Sequence, residues 1–247
     1  MTSLSEVSYD LPEFDSIRSH LRNSSRPMLE VVNLDCVRGS RVLFTNLNLT
    51  VQPGALVQLQ GANGSGKTSL LRIICGLLAP EKGEVRWQGS NIKKLGEDFA
   101  TSLTYLGHRN GIKDELTPLE NLRVTVGLSG ERLSPDEAMD ALARVGLKGR
   151  EDLPARFLSE GQKRRAALAR LITSRAKLWV LDEVLASLDA SAVAMVRTLI
   201  EQHLKAGGSA IVATHQDMEI SSDSFQRLDL STLSSQPSRA DVTGLTA

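Results

Sequence analysis

An α/β fold built around a parallel sheet is what this sequence predicts, and three observations predict it. The runs Leu178–Leu181 and Ala210–Ala213 are apolar at every position, without alternation, as strands buried on both faces of a parallel sheet are. A strand-like run, Ala55–Gln60, is followed by a glycine-rich turn and then by the helix-period segment Ser69–Leu78. Between these landmarks, helix starts announce themselves three times by a hydroxyl residue followed three positions later by Glu or Gln.

Taken in order, residues 1–27 are Ser-rich and polar, with too few apolar residues to fold alone, and are read as a disordered, dispensable extension. Organised sequence starts at Met28. The runs Leu29–Leu34, Leu47–Val51 and Glu84–Gln88 read, like Ala55–Gln60, as short strands alternating with turns. A helical insertion is expected over about 109–165, within a helical middle that continues to about residue 175. Thr117-Pro118-Leu119-Glu120 and Ser134-Pro135-Asp136-Glu137 each add proline at the first helical position. Ser159-Glu160-Gly161-Gln162 opens the third helix, Lys163–Ser174. A last helix, Ala190–Lys205, links the two apolar strands. The core is expected to end near residue 230, leaving 231–247 as a polar tail.

Composition removes several classes of function. Lys+Arg and Asp+Glu are equal at 29 each, so no global basic field exists to hold nucleic acid, and aromatics at 4% leave little for base stacking. Any anion must be gripped locally. Cys36 and Cys75 form no paired-cysteine motif, which fits a reduced cytosolic setting. No uninterrupted apolar stretch reaches about 18 residues, so the chain is not expected to cross a membrane by itself. Glu6, Asp10, Glu13 and Asp15 argue against a secretory signal.

Gly61-Ala62-Asn63-Gly64-Ser65-Gly66-Lys67-Thr68, with Ser69 next, fits the phosphate-binding pattern GxxxxGK[ST] and stands between a strand and a helix, as that loop requires. Glycines let successive N–H groups curl around an anion, the helix start adds its positive end, Lys67 supplies a point charge, and the Thr68 hydroxyl can serve Mg²⁺. Lys177–Glu183 reads as an apolar strand delivering two carboxylates at its carboxyl end. Asp182 is suited to hold Mg²⁺, and Glu183 to act as general base for an attacking water.

The run Leu158-Ser159-Glu160-Gly161-Gln162, followed by KRRAALARL, resembles the signature motif of ABC-transporter ATPases. The phosphate loop lies before it. After it come the carboxylate pair, an Ala186-Ser187-Leu188-Asp189 loop and the His215 of IVATHQ. The resemblance covers about residues 28–220. It implies a RecA-like core of phosphate-loop NTPase type, a small antiparallel β subdomain and an inserted helical subdomain. It implies ATP with Mg²⁺ as ligands, and a second copy of the chain as partner: in that family two copies sandwich two ATP molecules. Each nucleotide lies between one copy's phosphate loop and the other's signature, here Ser159, Gly161 and Gln162. His215 would contact the γ-phosphate, and Asp189 would link the two sites.

Four positions depart from the family pattern. His108 stands where Gln is usual and can still position a water. Arg38 stands at the place of the adenine-stacking aromatic, and a guanidinium can stack on a base. Glu160 replaces Gly inside the signature and is expected to point outward. Val184 replaces the Pro after the catalytic Glu.

Lacking a span, such an ATPase needs integral membrane subunits, and the resemblance places it at the cytoplasmic face of the inner membrane. The stretch YLGHRNGIKDELTPLENL and the strand-turn EVRWQGS are similar to the ATP-binding subunits of cytochrome c maturation haem exporters. ATP hydrolysis would then release a haem-loaded chaperone. Direct haem binding is not expected, since His20, His108, His203 and His215 are scattered and no CxxCH occurs. An ABC transporter for another substrate and a soluble ABC-type remodelling ATPase stay open as alternatives at this point, the latter disfavoured by zero net charge.

Overall fold

A computed structural model of the chain describes residues 26–232, apart from 187, 219, 221 and 223. The extension and tail expected at the two ends therefore lie almost wholly outside the described residues. The described residues form two sheets. The first is antiparallel, from β1 (Leu29–Arg38), β2 (Arg41–Val51), β4 (Lys82–Trp87) and β5 (Ser90–Asn91), in the order β2-β1-β4-β5. The second is parallel: β3 (Leu56–Gln60), β6 (Leu103–Leu106), β7 (Leu178–Asp182), β8 (Ser209–Ala213) and β9 (Phe225–Asp229), in the order β6-β7-β8-β3-β9.

The parallel sheet divides two cores, and the period of two along each strand does the dividing. Val57, Leu59, Val180, Ile211 and Ala213 face the antiparallel sheet and helix α1 (Lys67–Ile74). Leu56, Trp179, Leu181, Ala210 and Val212 face the other way, toward helices α4 (Pro118–Leu128), α5 (Pro135–Arg144), α6 (Glu160–Thr173) and α7 (Ala190–Lys205). Short helices α2 (Ile92–Leu95) and α3 (Glu97–Thr101) lead into β6. Both faces being dry explains why β7 and β8 read as continuous apolar runs.

All three capping boxes form. Thr117, Ser134 and Ser159 each accept from the backbone N–H three residues on, while Glu120, Glu137 and Gln162 accept from the N–H of the capping residue. Caps of this kind contribute about 1 kcal/mol each.

Some boundaries differ from expectation for local reasons. The phosphate-loop helix was expected to reach Leu78 but stops at Ile74, because Gly76 takes φ 72° and turns the chain, leaving Leu77 64% exposed. Strand β1 runs on past Leu34 to Arg38 through a bulge at Asn33, whose φ is 47°. The edge strands β6 and β9 carry no continuous apolar run and escaped the sequence reading.

His203, near the end of α7, stacks its ring on Trp179 with centroids 3.9 Å apart and planes 6° from parallel, and its Nε2 lies 3.2 Å from the Ser209 carbonyl. Burial holds its pKa below the ordinary value of 6.5. The folded state thus binds fewer protons than the unfolded one, and stability rises with pH in this window. The expected result is full stability above about pH 6.5 and a progressive loss as pH falls from there toward the lower folded-state pKa. Thermal midpoints measured from pH 7.5 down to 5.5 should drop more steeply in the wild type than in His203→Gln.

Candidate active site

Register alone assembles the site. Leu59 pairs with Ala213, Ala213 with Asp182, and Leu181 with Leu106, so the carboxyl ends of β3, β8, β7 and β6 form one continuous edge. The next residues of each strand emerge there together: the loop from Gly61, then Thr214-His215, Glu183, and Gly107-His108. Loops at the carboxyl edge of such a sheet are where ligands bind.

The loop between β3 and α1 is bent into a cradle. Gly61 and Gly66 take φ of 138° and 105°, and a Cβ on Gly61 would come 2.6 Å from Ser65 Oγ, so side chains are unfavourable at both. Helix α1 has no side-chain cap, unlike α4, α5, α6 and α7. Its first N–H groups thus lack the side-chain acceptor that a cap supplies, and with the helix dipole they are suited to an anion. Lys67 is buried, at 6% exposure. It donates to the carbonyls of Gly61 (2.6 Å) and Ala62 (3.4 Å) and lies 3.4 Å from His215 Nε2. Among the described residues no carboxylate is recorded within 4 Å of it. A buried cation held by carbonyls and an imidazole is a site short of negative charge.

Opposite stands Asp182, 1% exposed, with Oδ2 buried and unpartnered. Burial pushes its pKa up and the Glu183 charge adds to this, while a hydrogen bond from Thr68 and the neighbouring His108 and Arg72 pull the other way. An orphaned carboxylate oxygen beside a threonine hydroxyl is a hard-oxygen donor set that fits Mg²⁺.

Glu183 occupies the left-handed region, φ 52°, a conformation costing a non-glycine residue about 1–3 kcal/mol. Its N–H donates to the Ala213 carbonyl at 2.9 Å, and its own carbonyl accepts from Ala186 N–H (3.1 Å) and from Arg164 Nη2 (2.8 Å). Both peptide groups being fixed, the side chain projects into the site with Oε1 3.6 Å from His215 Nε2.

Gly66, Lys67, Thr68, Asp182 and Glu183 line one cleft of about 590 Å³, together with Arg38, Asn63, Gly64, Ser69 and His108, while His215 is outside this lining and adjoins it through Lys67 and Glu183. Two residues the sequence reading had not singled out, Arg41 and Leu43, also line it. The backbone of Ala62 is turned aside and its N–H donates to Ser231 Oγ at 3.2 Å, just past the expected end of the core.

Ser159, Gly161 and Gln162 do not share this cleft. They open α6, where Ser159 and Gln162 satisfy each other in the capping box. Glu160 points outward, its side chain 80% exposed and 3.6 Å from Lys163. Asp189 is also outside the cleft: it caps α7 through Ala192 N–H at 2.8 Å and pairs with Arg165 at 2.5 Å. The Ala192 N–H, the Ser191 hydroxyl and then Arg165 lower its pKa to about 2. Within a single chain, then, the phosphate cradle and the signature are separate.

A family model described as ABC transporter matches residues 44–186, more than half of the chain, and spans both the cradle and the signature. The chain belongs to the ABC transporter family. Curated relatives include the cytochrome c biogenesis ATP-binding export protein CcmA of Nitrosospira multiformis, 52% identical over 83% of this chain and 99% of that protein. The protein of the same name from Dechloromonas aromatica is 53% identical over 82% of this chain and all of its own length. Among solved structures, a dimeric ATP-binding cassette in a post-hydrolysis state, bound to ADP and Pi, superposes with TM-score 0.69 over 76% of this chain and 88% of its own, at 23% identity. That likeness carries the fold. As an ABC ATPase this chain binds and hydrolyses ATP, and the cleft just described is where the anion-seeking groups converge. Among its described residues no helix is long and apolar enough to cross a membrane.

Sequence reasoning missed Arg164, whose guanidinium donates to the carbonyls of Glu183, Val184, Gly107 and His108. A signal was available. Positions 164, 167, 168 and 171 form the buried stripe of α6, and the first of them is a charged residue where the period calls for an apolar one.

Proposed function

We propose that the chain is the ATP-hydrolysing subunit of a membrane transporter complex serving cytochrome c biogenesis, working as a pair of identical copies on the cytoplasmic face of the inner membrane. The relatives' shared name supports the process. The observation that carries the half-site reading is the register, which gathers Lys67, Asp182, Glu183 and His215 at one sheet edge and leaves Ser159 elsewhere.

In this reading the N–H groups of residues 63–69 and the Lys67 ammonium grip the β- and γ-phosphates, replacing the carbonyl partners that Lys67 holds here. Thr68 and Asp182 would hold Mg²⁺, which when bound neutralises charge on the phosphate oxygens. Glu183 accepts a proton from water as the water oxygen bonds to the γ-phosphorus and the bond to the ADP oxygen breaks. His215, between Lys67 and Glu183, contacts the γ-phosphate, and His108 positions the water from the far wall. Arg38 stacks on the base. Ser159, Gly161 and Gln162 of a second copy close the site with another helix N-terminus, and Asp189 links the two sites. Integral membrane subunits dock on the helical region next to the His108 loop. The chain supplies conformational work and handles no haem.

A bacterial strain lacking its own cytochrome c biogenesis ATP-binding export protein tests this. The chain is expected to restore haem-stained c-type cytochromes, and Glu183→Gln to leave them absent. Failure of the wild-type chain, expressed and bound to the membrane fraction, to restore any would overturn the proposed process.

A further inference from the structure

The guanidinium of Arg164 is occupied on both edges by the walls of the active site. One edge holds the segment after β7: Nε donates to the Val184 carbonyl at 3.2 Å and Nη2 to the Glu183 carbonyl at 2.8 Å. The other holds the loop after β6: Nη1 donates to the Gly107 carbonyl at 3.1 Å and to Asn110 Oδ1 at 3.0 Å, with the His108 carbonyl at 3.4 Å. Arg164 itself is 6% exposed and sits in the first turn and a half of the signature helix α6. Taking a guanidinium out of water for carbonyl partners alone is costly, and burial does lower its pKa while the Asp182 and Glu183 charges raise it. Such a group is retained where its planar fork fixes geometry.

What it fixes is a turn that has lost its usual restraint. Glu183–Ala186 closes by the Ala186 N–H to Glu183 carbonyl bond at 3.1 Å, and Val184 occupies the second position. Proline there would pre-set φ near −65°, whereas valine leaves the turn freer to relax. Glu183 is also held at φ 52°, away from its own preference. Two adjacent carbonyls of this strained turn are pinned by Arg164.

We propose that Arg164 is a positioning residue for Glu183: it fixes the Glu183–Ala186 turn in the role proline would play, and locks that turn and the His108 loop to the signature helix as one unit. A tilt of α6 then moves the walls of its own chain's cleft as well as the signature it offers to a second copy. The proposal rests on Glu183 being the base.

Its test is the steady-state ATPase of Arg164→Gln, Val184→Pro and the double variant. A displacement near 1 Å at a reacting group costs up to about 100-fold in rate. Arg164→Gln is expected to lower kcat by about 10- to 100-fold on that scale. Its KM for ATP should stay within about 3-fold, since no atom of Arg164 reaches the phosphate cradle. Val184→Pro alone should change little. Added to Arg164→Gln, it should recover most of kcat, a rescue that a merely structural arginine would not give. An unchanged kcat in Arg164→Gln, or a loss that Val184→Pro leaves untouched, overturns the proposal. Should Arg164→Gln not fold, Arg164→Lys carries the same test, because an ammonium keeps the buried charge yet cannot hold both walls. Glu183→Gln measured alongside separates the two readings. Turnover retained there removes Glu183 as base; turnover lost there but kept in Arg164→Gln removes only the positioning role.

Discussion

Replacing Glu183 by Gln is expected to lower ATP turnover by about 100- to 10,000-fold, the range a general base contributes, while ATP still binds. The amide has the shape of the carboxylate and can still approach His215, so packing at the end of β7 is undisturbed. The main-chain bonds that hold this position, to Ala213, Ala186 and Arg164, involve no side-chain atom of residue 183 and persist in the variant. What is lost is the carboxylate charge and, with it, the ability to accept a proton. Single-turnover measurement with labelled ATP separates this from a binding defect: nucleotide is retained and not cleaved.

The second large effect is expected at Lys67, and there binding fails instead of chemistry. Its ammonium is buried against two carbonyls and a histidine, an arrangement that stabilises the empty protein little and an incoming polyphosphate much. A hydrogen bond to a charged group contributes roughly 1.5–3 kcal/mol, which is about 10- to 100-fold in affinity. Lys67→Ala should therefore bind ATP weaker by at least that factor. The apo thermal midpoint should be unchanged or higher, because a buried charge short of counter-charge has been removed. Thermal unfolding with and without nucleotide reads both halves: the ATP-induced shift disappears while the apo value does not fall. A drop of several degrees in the apo protein with normal ATP affinity would mean that Lys67 serves the fold alone.

How much of this was legible beforehand follows from the kind of interaction involved. Local signals were legible: capping boxes at Thr117, Ser134 and Ser159 need only a few consecutive residues, and all three form. So were strands buried on both faces, since burial forces apolar residues at every position of Leu178–Leu181 and Ala210–Ala213. Edge strands β6 and β9 were not, because a half-exposed strand tolerates the Thr, Gln and Arg they carry. In the site, Gly61–Thr68 and the Asp182-Glu183 pair were readable because a glycine cradle and a strand-end carboxylate pair each impose fixed spacing. Arg164 was not read as part of the site, although it bonds to four carbonyls and one amide oxygen contributed by residues 19 to 57 positions away. No spacing rule in the sequence records contacts of that length. The strain at Glu183 was likewise hidden, since a positive φ at a glutamate is imposed by its surroundings.

In the proposed function a single chain holds only half of an ATP site and a second copy completes it. Sedimentation of Glu183→Gln at saturating ATP and Mg²⁺ measures this directly. The expected result is a dimer that returns to monomer when nucleotide is removed, or when Ser159→Arg is added to block the signature end of α6. A single-chain mass at saturating nucleotide, or a dimer indifferent to both ATP and Ser159→Arg, would contradict it.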